Sequence, residues 1–302
     1  MARDIRSARL ITALKTPYLQ DGSIDFDTFD YLLDCQIRGG VDGVLIAGTT
    51  GEGHLMSSDE ILSLAKHAIE KVGKQVLVVV NSGGNDTRKA RSLTEKVMGL
   101  GADLTLQINP YYGKTSELGL LRHFKALFDV APGIVYNVPG RTAQDILPAT
   151  MHKIAEHKNF VGVKECMGSD RIKAYVESGI RCWSGNDDTA FESRHRCGAT
   201  GVISVVSNIV PALIARIMDK AEKHVDDQLQ PLFAWAFCEP NPIALNTCLA
   251  MTGATKPVFR LPYVPLTLEQ RRTGLAILDK FDISDIVGSR LSLMEDSDFI
   301  VV

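Results

Sequence analysis

Long apolar runs, a surplus of one charge, clustered cysteines and metal-ligand spacings are all missing from this chain. Its purely apolar stretches, such as Val76-Leu77-Val78-Val79-Val80, fall far short of the roughly 18 residues a bilayer span requires, so no membrane segment is expected. Positive charge is not in excess: 33 Lys and Arg stand against 36 Asp and Glu, a formal net charge of −3, which gives nucleic acid or an anionic membrane no field to bind. The opening Met1-Ala2-Arg3-Asp4-Ile5-Arg6 lacks the apolar centre of a secretory signal. The six cysteines (Cys35, Cys166, Cys182, Cys197, Cys238 and Cys248) lie far apart and form no Cys-x-x-Cys, and the seven histidines form no His-x-x-x-His. Reduced thiols, no metal and a cytoplasmic setting are therefore expected, with the plastid stroma as the alternative for a photosynthetic eukaryote.

What is present is a soluble composition, 45% hydrophobic and 23% charged over 302 residues, enough for two domains or one large α/β barrel. The expected partner is a small molecule. Eight short β-branched runs recur, beginning at Leu10, Gly43, Val76, Leu104, Ile134, Phe160, Arg181 and Gly201, and each precedes an amphipathic stretch. Ser57 and Glu60 have capping-box spacing at the head of one such stretch, Ile61 to Val72. Regular β-then-α alternation predicts parallel strands, and eight units within about 225 residues predict a closed (β/α)8 TIM barrel over 1–225. From about Ile209 onward no strand alternation follows, so 226–302 reads as a helical extension packed on the barrel. Its apolar end, Phe299-Ile300-Val301-Val302, suits docking on the body or on a neighbour, with a frayed terminus as the alternative.

Such barrels place their active sites at the C-terminal ends of the strands, so the residues after each run carry the argument. They are Gly48-Thr49-Thr50-Gly51-Glu52-Gly53, Asn109-Pro110-Tyr111-Tyr112, Tyr136-Asn137-Val138-Pro139-Gly140-Arg141-Thr142, Lys164-Glu165, Gly185-Asn186-Asp187 and Ile203-Ser204. Lys164 ends an otherwise apolar or glycine run. Facing inward it would be poorly solvated, which favours the neutral amine that attacks carbonyls; turned outward it would be a rim lysine pairing with Glu165. Thr49, Thr50 and free backbone amides suit a carboxylate or phosphate, though βα turns are often rich in such residues for geometry alone. Arg141 offers a fork for a second carboxylate or a surface ion pair. Tyr112 and Tyr136 can pass protons or simply pack. His54 and Cys166 fall near this mouth and are assigned no role.

Together these motifs resemble the pyruvate-dependent aldolase superfamily and, within it, the dihydrodipicolinate synthase family, whose members make 4-hydroxy-tetrahydrodipicolinate. Gly48-Thr49-Thr50-Gly51-Glu52, Asn109-Pro110-Tyr111-Tyr112-Gly113, the Tyr136–Thr142 stretch, Val163-Lys164-Glu165 and Gly201–Val205 occur in that order and spacing. Cys238-Glu239-Pro240-Asn241-Pro242 and Phe259-Arg260-Leu261-Pro262-Tyr263 resemble the plant-type branch. The resemblance implies a lyase of the diaminopimelate route to lysine that joins pyruvate to L-aspartate 4-semialdehyde. It implies a Schiff base on Lys164 with no separate cofactor, Tyr136 as proton carrier, and Thr49 linking it to a Tyr112 from a neighbouring subunit. Thr50, Ile203 and Gly185 would hold pyruvate, and Arg141 the second substrate's carboxylate. A homodimer or a homotetramer built as a dimer of dimers is implied as well. Family members inhibited by lysine bind it near the positions of Ser58, Asn85, Lys89 and Tyr111. They carry Glu in place of Lys89 and His or Trp in place of Ser58, so weak lysine inhibition is expected here. The rivals are another pyruvate-dependent aldolase, such as 2-keto-3-deoxygluconate aldolase, which has no special need of Arg141, and a non-catalytic metabolite-binding barrel, which has no use for a nucleophile and proton relay.

Overall fold

The computed structural model of the chain describes residues 4–302. Met1-Ala2-Arg3, the head of the segment read for a secretory signal, lies outside the described residues. Eight parallel strands close into a barrel in sequence order: β1 (Leu10–Ala13), β2 (Gly43–Ile46), β3 (Leu77–Asn81), β4 (Leu104–Ile108), β5 (Gly133–Asn137), β6 (Phe160–Glu165), β7 (Cys182–Ser184) and β8 (Gly201–Ser204). Each falls on one of the eight β-branched runs. Around them lie α1 (Phe26–Arg38), α2 (Ser58–Val72), α3 (Thr87–Gly99), α4 (Glu117–Phe128), the short α5 (Pro139–Thr142), α6 (Pro148–Ala155), α7 (Ser169–Glu177), α8 (Ala190–His195) and α9 (Pro211–Asp219). This is the (β/α)8 architecture that the alternation predicts.

Local chemistry explains where the helices begin. At α2 the Ser57 hydroxyl accepts from Glu60 N (3.2 Å) while the Glu60 carboxylate accepts from Ser57 N (2.9 Å), the reciprocal cap that the sequence spacing predicts. Ile61, Leu64, Ala65, Ala68 and Val72 then fall on one buried stripe. Inside the barrel, alternate strand residues such as Ile11, Leu45, Val79, Leu106, Ile134, Trp183 and Ile203 form one apolar cluster, and Trp183 Nε1 donates to Ala8 O at the barrel floor.

Beyond the barrel come α10 (Lys223–Ala236), α11 (Ile243–Met251) and α12 (Leu268–Leu278). Helix α10 begins before residue 226, and Leu229, Phe233, Leu245 and Leu249 share one core with Leu10, Val44 and Leu64 of the barrel. The expectation that no strand follows β8 is corrected: β9 (Val258–Phe259) pairs in parallel with β10 (Ile300–Val301). Leu261 N donates to Val302 O at 2.8 Å and Val302 N to Phe259 O at 2.9 Å, so the apolar terminus docks on the body. Two-residue strands are too short for period-2 patterning to reveal them. Among the described residues no helix is long and apolar enough to cross a membrane, and no group of three or more His, Cys, Asp or Glu is placed to hold a metal ion.

Candidate active site

Beyond β2 the chain turns at once. Ala47 adopts φ +54°, and its carbonyl accepts from Asn81 Nδ2 at 2.9 Å. A tight coil follows, with Glu52 N donating to Thr49 O (3.0 Å) and Gly53 N to Gly48 O (3.1 Å). Gly53 is demanded by space, since a Cβ there would lie 1.9 Å from Ala47 O. Glu52 is left-handed at φ +60° although it is not glycine, a conformation that costs about 1–2 kcal/mol. Its side chain accounts for its persistence: the buried carboxylate accepts from Lys15 Nζ at 2.5 Å and Asn246 Nδ2 at 2.8 Å. The same turn presents Thr50, whose hydroxyl accepts from Asn241 Nδ2 at 3.1 Å, and Thr49, which lies beside the Tyr136 hydroxyl.

Across the barrel Tyr136 and Lys164 pair in register on β5 and β6, so both point inward, whereas the next pair, Asn137 and Glu165, points toward the helices. Glu165 is thus taken out of play as an ion-pair partner: it accepts from Asn137 Nδ2 (3.0 Å) and from the amides of Cys166 and Met167. Lys164 is 5% exposed, and its ammonium lies 4.4 Å from the Tyr136 ring centroid. No carboxylate stands within ion-pair distance of Lys164 among the described residues. Burial pulls its pKa below the ordinary lysine value, Arg141 adds to that, and Asp187 opposes it. The rim-lysine alternative therefore does not describe this side chain.

Burial pushes the Tyr136 hydroxyl well above its ordinary range, and the Cys166 thiol beside it up to about 11. Both are neutral near pH 7. Asp187 is raised by burial and held by Ser204 Oγ (2.5 Å) and the amides of Val205 and Val206, which shapes the chain where β8 ends. Gly185 makes room for the amine: a Cβ would lie 2.3 Å from Cys166 Sγ and 3.1 Å from Lys164 Cε.

These groups surround a cavity of about 390 Å³, lined by Thr49, Thr50, Tyr136, Arg141, Lys164, Cys166 and Gly185 together with Phe237, Pro240 and Asn241 of the extension. A neighbouring cavity of about 550 Å³ shares Thr49, Tyr136 and Arg141 with it and brings together Ser58, Asn85, Lys89 and Tyr111. His54 lies on that outer wall, where its ring nitrogen meets the Tyr263 hydroxyl at 2.8 Å and burial lowers its pKa. Two expected site residues stand apart. Ile203 sits in the barrel's interior cluster and lines neither cavity. Tyr112, left-handed at φ +69° and 93% exposed, lines neither as well.

Several contributors were missed by reading motifs. Asn241 accepts from Arg141 Nη2 through its backbone carbonyl (3.0 Å) while its side chain meets Thr50. The sequence marks its stretch as a helix break and a plant-type motif but gives Asn241 no role. Lys15 was legible by the same rule as Lys164, because it stands one residue past the first apolar run.

Fold and site together define a (β/α)8-barrel enzyme whose mouth sets a desolvated amine against a phenol. Residues 6–280 match the Dihydrodipicolinate synthetase family, and the chain belongs to that family; it is a lyase. It is 50% identical over 301 residues to the chloroplastic 4-hydroxy-tetrahydrodipicolinate synthase of Coix lacryma-jobi, covering 99% of this chain and 80% of that one. Among solved structures, the chloride-inhibited dihydrodipicolinate synthase of Acinetobacter baumannii complexed with pyruvate superposes with a TM-score of 0.87 at 33% identity, covering 90% of this chain and 98% of that one. The 4-hydroxy-tetrahydrodipicolinate synthase of Methylacidiphilum fumariolicum gives 0.86 at 34% identity, covering 90% and 95%.

Proposed function

We propose that this enzyme condenses pyruvate with L-aspartate 4-semialdehyde through a Schiff base on Lys164, yielding 4-hydroxy-tetrahydrodipicolinate for lysine biosynthesis. The observation that carries this reading is the inward-facing, desolvated Lys164 amine, open to a cavity and set against Tyr136. The neutral amine adds to the ketone carbon of pyruvate, and water leaves to give the iminium. Loss of a methyl proton converts this to the enamine, whose carbon bonds to the aldehyde carbon. The aldehyde oxygen takes up a proton and becomes the 4-hydroxyl. Attack of the substrate's own amine on the iminium carbon closes the ring and releases Lys164.

Tyr136, neutral and beside Thr49, is the carrier for these protons. Thr50 and the amides around it receive the pyruvate carboxylate, with Gly185 leaving space beside the amine and Ile203 supporting the floor. Arg141, held by Asn241, meets the carboxylate of the semialdehyde. As the family resemblance implies, Tyr112 of a second copy completes the relay, which makes a dimer the smallest fully active unit and leaves a tetramer as a pair of dimers; the exposure of Tyr112 away from both cavities of its own chain supports this. No separate cofactor is required. Lys89 in the outer cavity opposes an incoming ammonium, which supports weak inhibition by lysine. The chloroplastic relatives support the plastid alternative over the cytoplasmic setting.

Borohydride reduction in the presence of pyruvate, followed by peptide mass spectrometry, tests this directly. A reduced pyruvyl adduct on Lys164 is expected; no adduct, or one on another lysine, refutes the reading.

A further inference from the structure

We propose that Lys15 is a positioning residue for this reaction: its ion pair with Glu52 holds the Thr49–Gly53 turn in the shape that receives the carboxylate of a 2-oxo acid. The inference rests on the reading of function above.

Lys15 and Glu52 are among the least exposed charged side chains of the molecule, at 3% and 1%. Lys15 lines neither cavity, so it is no second nucleophile. Its backbone amide is fastened to Asn208 Oδ1 (3.0 Å), and its amine rests 4.9 Å from the Tyr18 ring, whose other neighbour, Arg260, is paired with Glu60. The Lys15 ammonium is thereby a stationary donor. On the acidic side, only one oxygen of Glu52 is bonded, by Lys15 and by Asn246, while Oε2 has no partner. Without Lys15 only neutral groups, the Asn246 amide and the nearby Tyr18 hydroxyl, would face a buried carboxylate, and the turn must move to hydrate it. Thr49 and Thr50 lie three and two residues before Glu52 on the same turn and would move with it. Binding of the oxo acid should suffer most, proton transfer at Tyr136, which Thr49 adjoins, should suffer less, and imine formation at Lys164, across the mouth, should persist.

The test uses the full chain carrying Lys15→Met, and the double variant Lys15→Met/Glu52→Gln, which removes both charges together. In both we expect the pyruvate KM to rise at least about tenfold, the effect of weakening charge-assisted hydrogen bonds to an anion, and kcat at saturating pyruvate to fall by a smaller factor. Trapping with borohydride should still label Lys164. The double variant should also regain thermal stability lost in the single one, because no buried charge is left alone. If the single variant does not fold, the double variant decides. A pyruvate KM within about twofold of wild type in a folded variant, or a fall in kcat with KM unchanged, overturns the inference. A wild-type chain that forms no pyruvate adduct overturns the reading of function and this inference with it; unaffected variants beside a reactive wild type overturn this inference alone.

Discussion

Lys15 and Lys164 both stand at the mouth end of a barrel strand, both are nearly inaccessible to water, and burial pulls both amines below the ordinary lysine pKa. Their surroundings differ in one respect. Lys15 meets a carboxylate at 2.5 Å; Lys164 meets an aromatic face and open space. Burial alone therefore does not make a lysine a nucleophile. The amine must also be denied the counter-charge that would hold its proton, and here Glu165, the obvious candidate, is turned outward by strand alternation and occupied by Asn137.

The comparison breaks most readily at the chemical step. Lys164→Ala should lower activity by at least about 10³-fold and abolish pyruvate trapping, measured as turnover and adduct mass. A Lys164→Ala chain that still traps pyruvate, with the label on Lys15, would reverse the assignment of the two lysines.

The same substitution at both sites should move stability in opposite directions. Lys15→Met strands the Glu52 carboxylate and should cost about 3–5 kcal/mol in denaturant unfolding. Lys164 differs because its folded pKa lies below its unfolded value near ~10.4: below that pH the unfolded chain binds a proton that the folded chain forgoes, so stability is lost as pH falls through that window and is unaffected above it. Lys164→Met removes this penalty and should raise the thermal midpoint at neutral pH by a few degrees, or about 1 kcal/mol. Two shifts of the same sign would show that the amines are not energetically distinct.

Gly185→Ala sharpens the picture by pressing on Lys164 alone. A methyl 3.1 Å from Cε and 2.3 Å from Cys166 Sγ displaces the amine, and a displacement of that order should cost about 10²-fold in kcat/KM for pyruvate. A smaller expectation concerns a third lysine, Lys89, which is exposed on the outer cavity. Millimolar L-lysine should change the rate by less than about twofold, and Lys89→Glu should increase the sensitivity. Inhibition of the wild type at micromolar lysine would contradict this.

How much of this could be read in advance depended on the range of the signal. The eight strands and the cap of α2 are written in local patterning, and each appears where the pattern puts it. Lys164, Tyr136 and Thr49 were legible because strand ends in such a barrel converge on one face. Asn241, Asn246 and Tyr263 were not. They act on the mouth from about 100 to 200 residues away in sequence, through contacts that no periodicity encodes. The β9–β10 pair escaped for the same reason, since pairing between two-residue segments is a tertiary event.

The order in which these parts leave the ribosome gives the extension a further consequence. All eight strands and Lys164 are synthesised by residue 204, yet the carbonyl that receives Arg141 and the amides that hold Thr50 and Glu52 come only with residues 241 and 246. The strand that pairs with β9 is made of Ile300 and Val301, which emerge later still. A nascent barrel can thus fold N-terminal first while its mouth still lacks the clasp. The mouth takes its full shape only once the extension has emerged, and a chain cut short after the eighth strand keeps the Lys164 amine but not the contacts that shape the space around it.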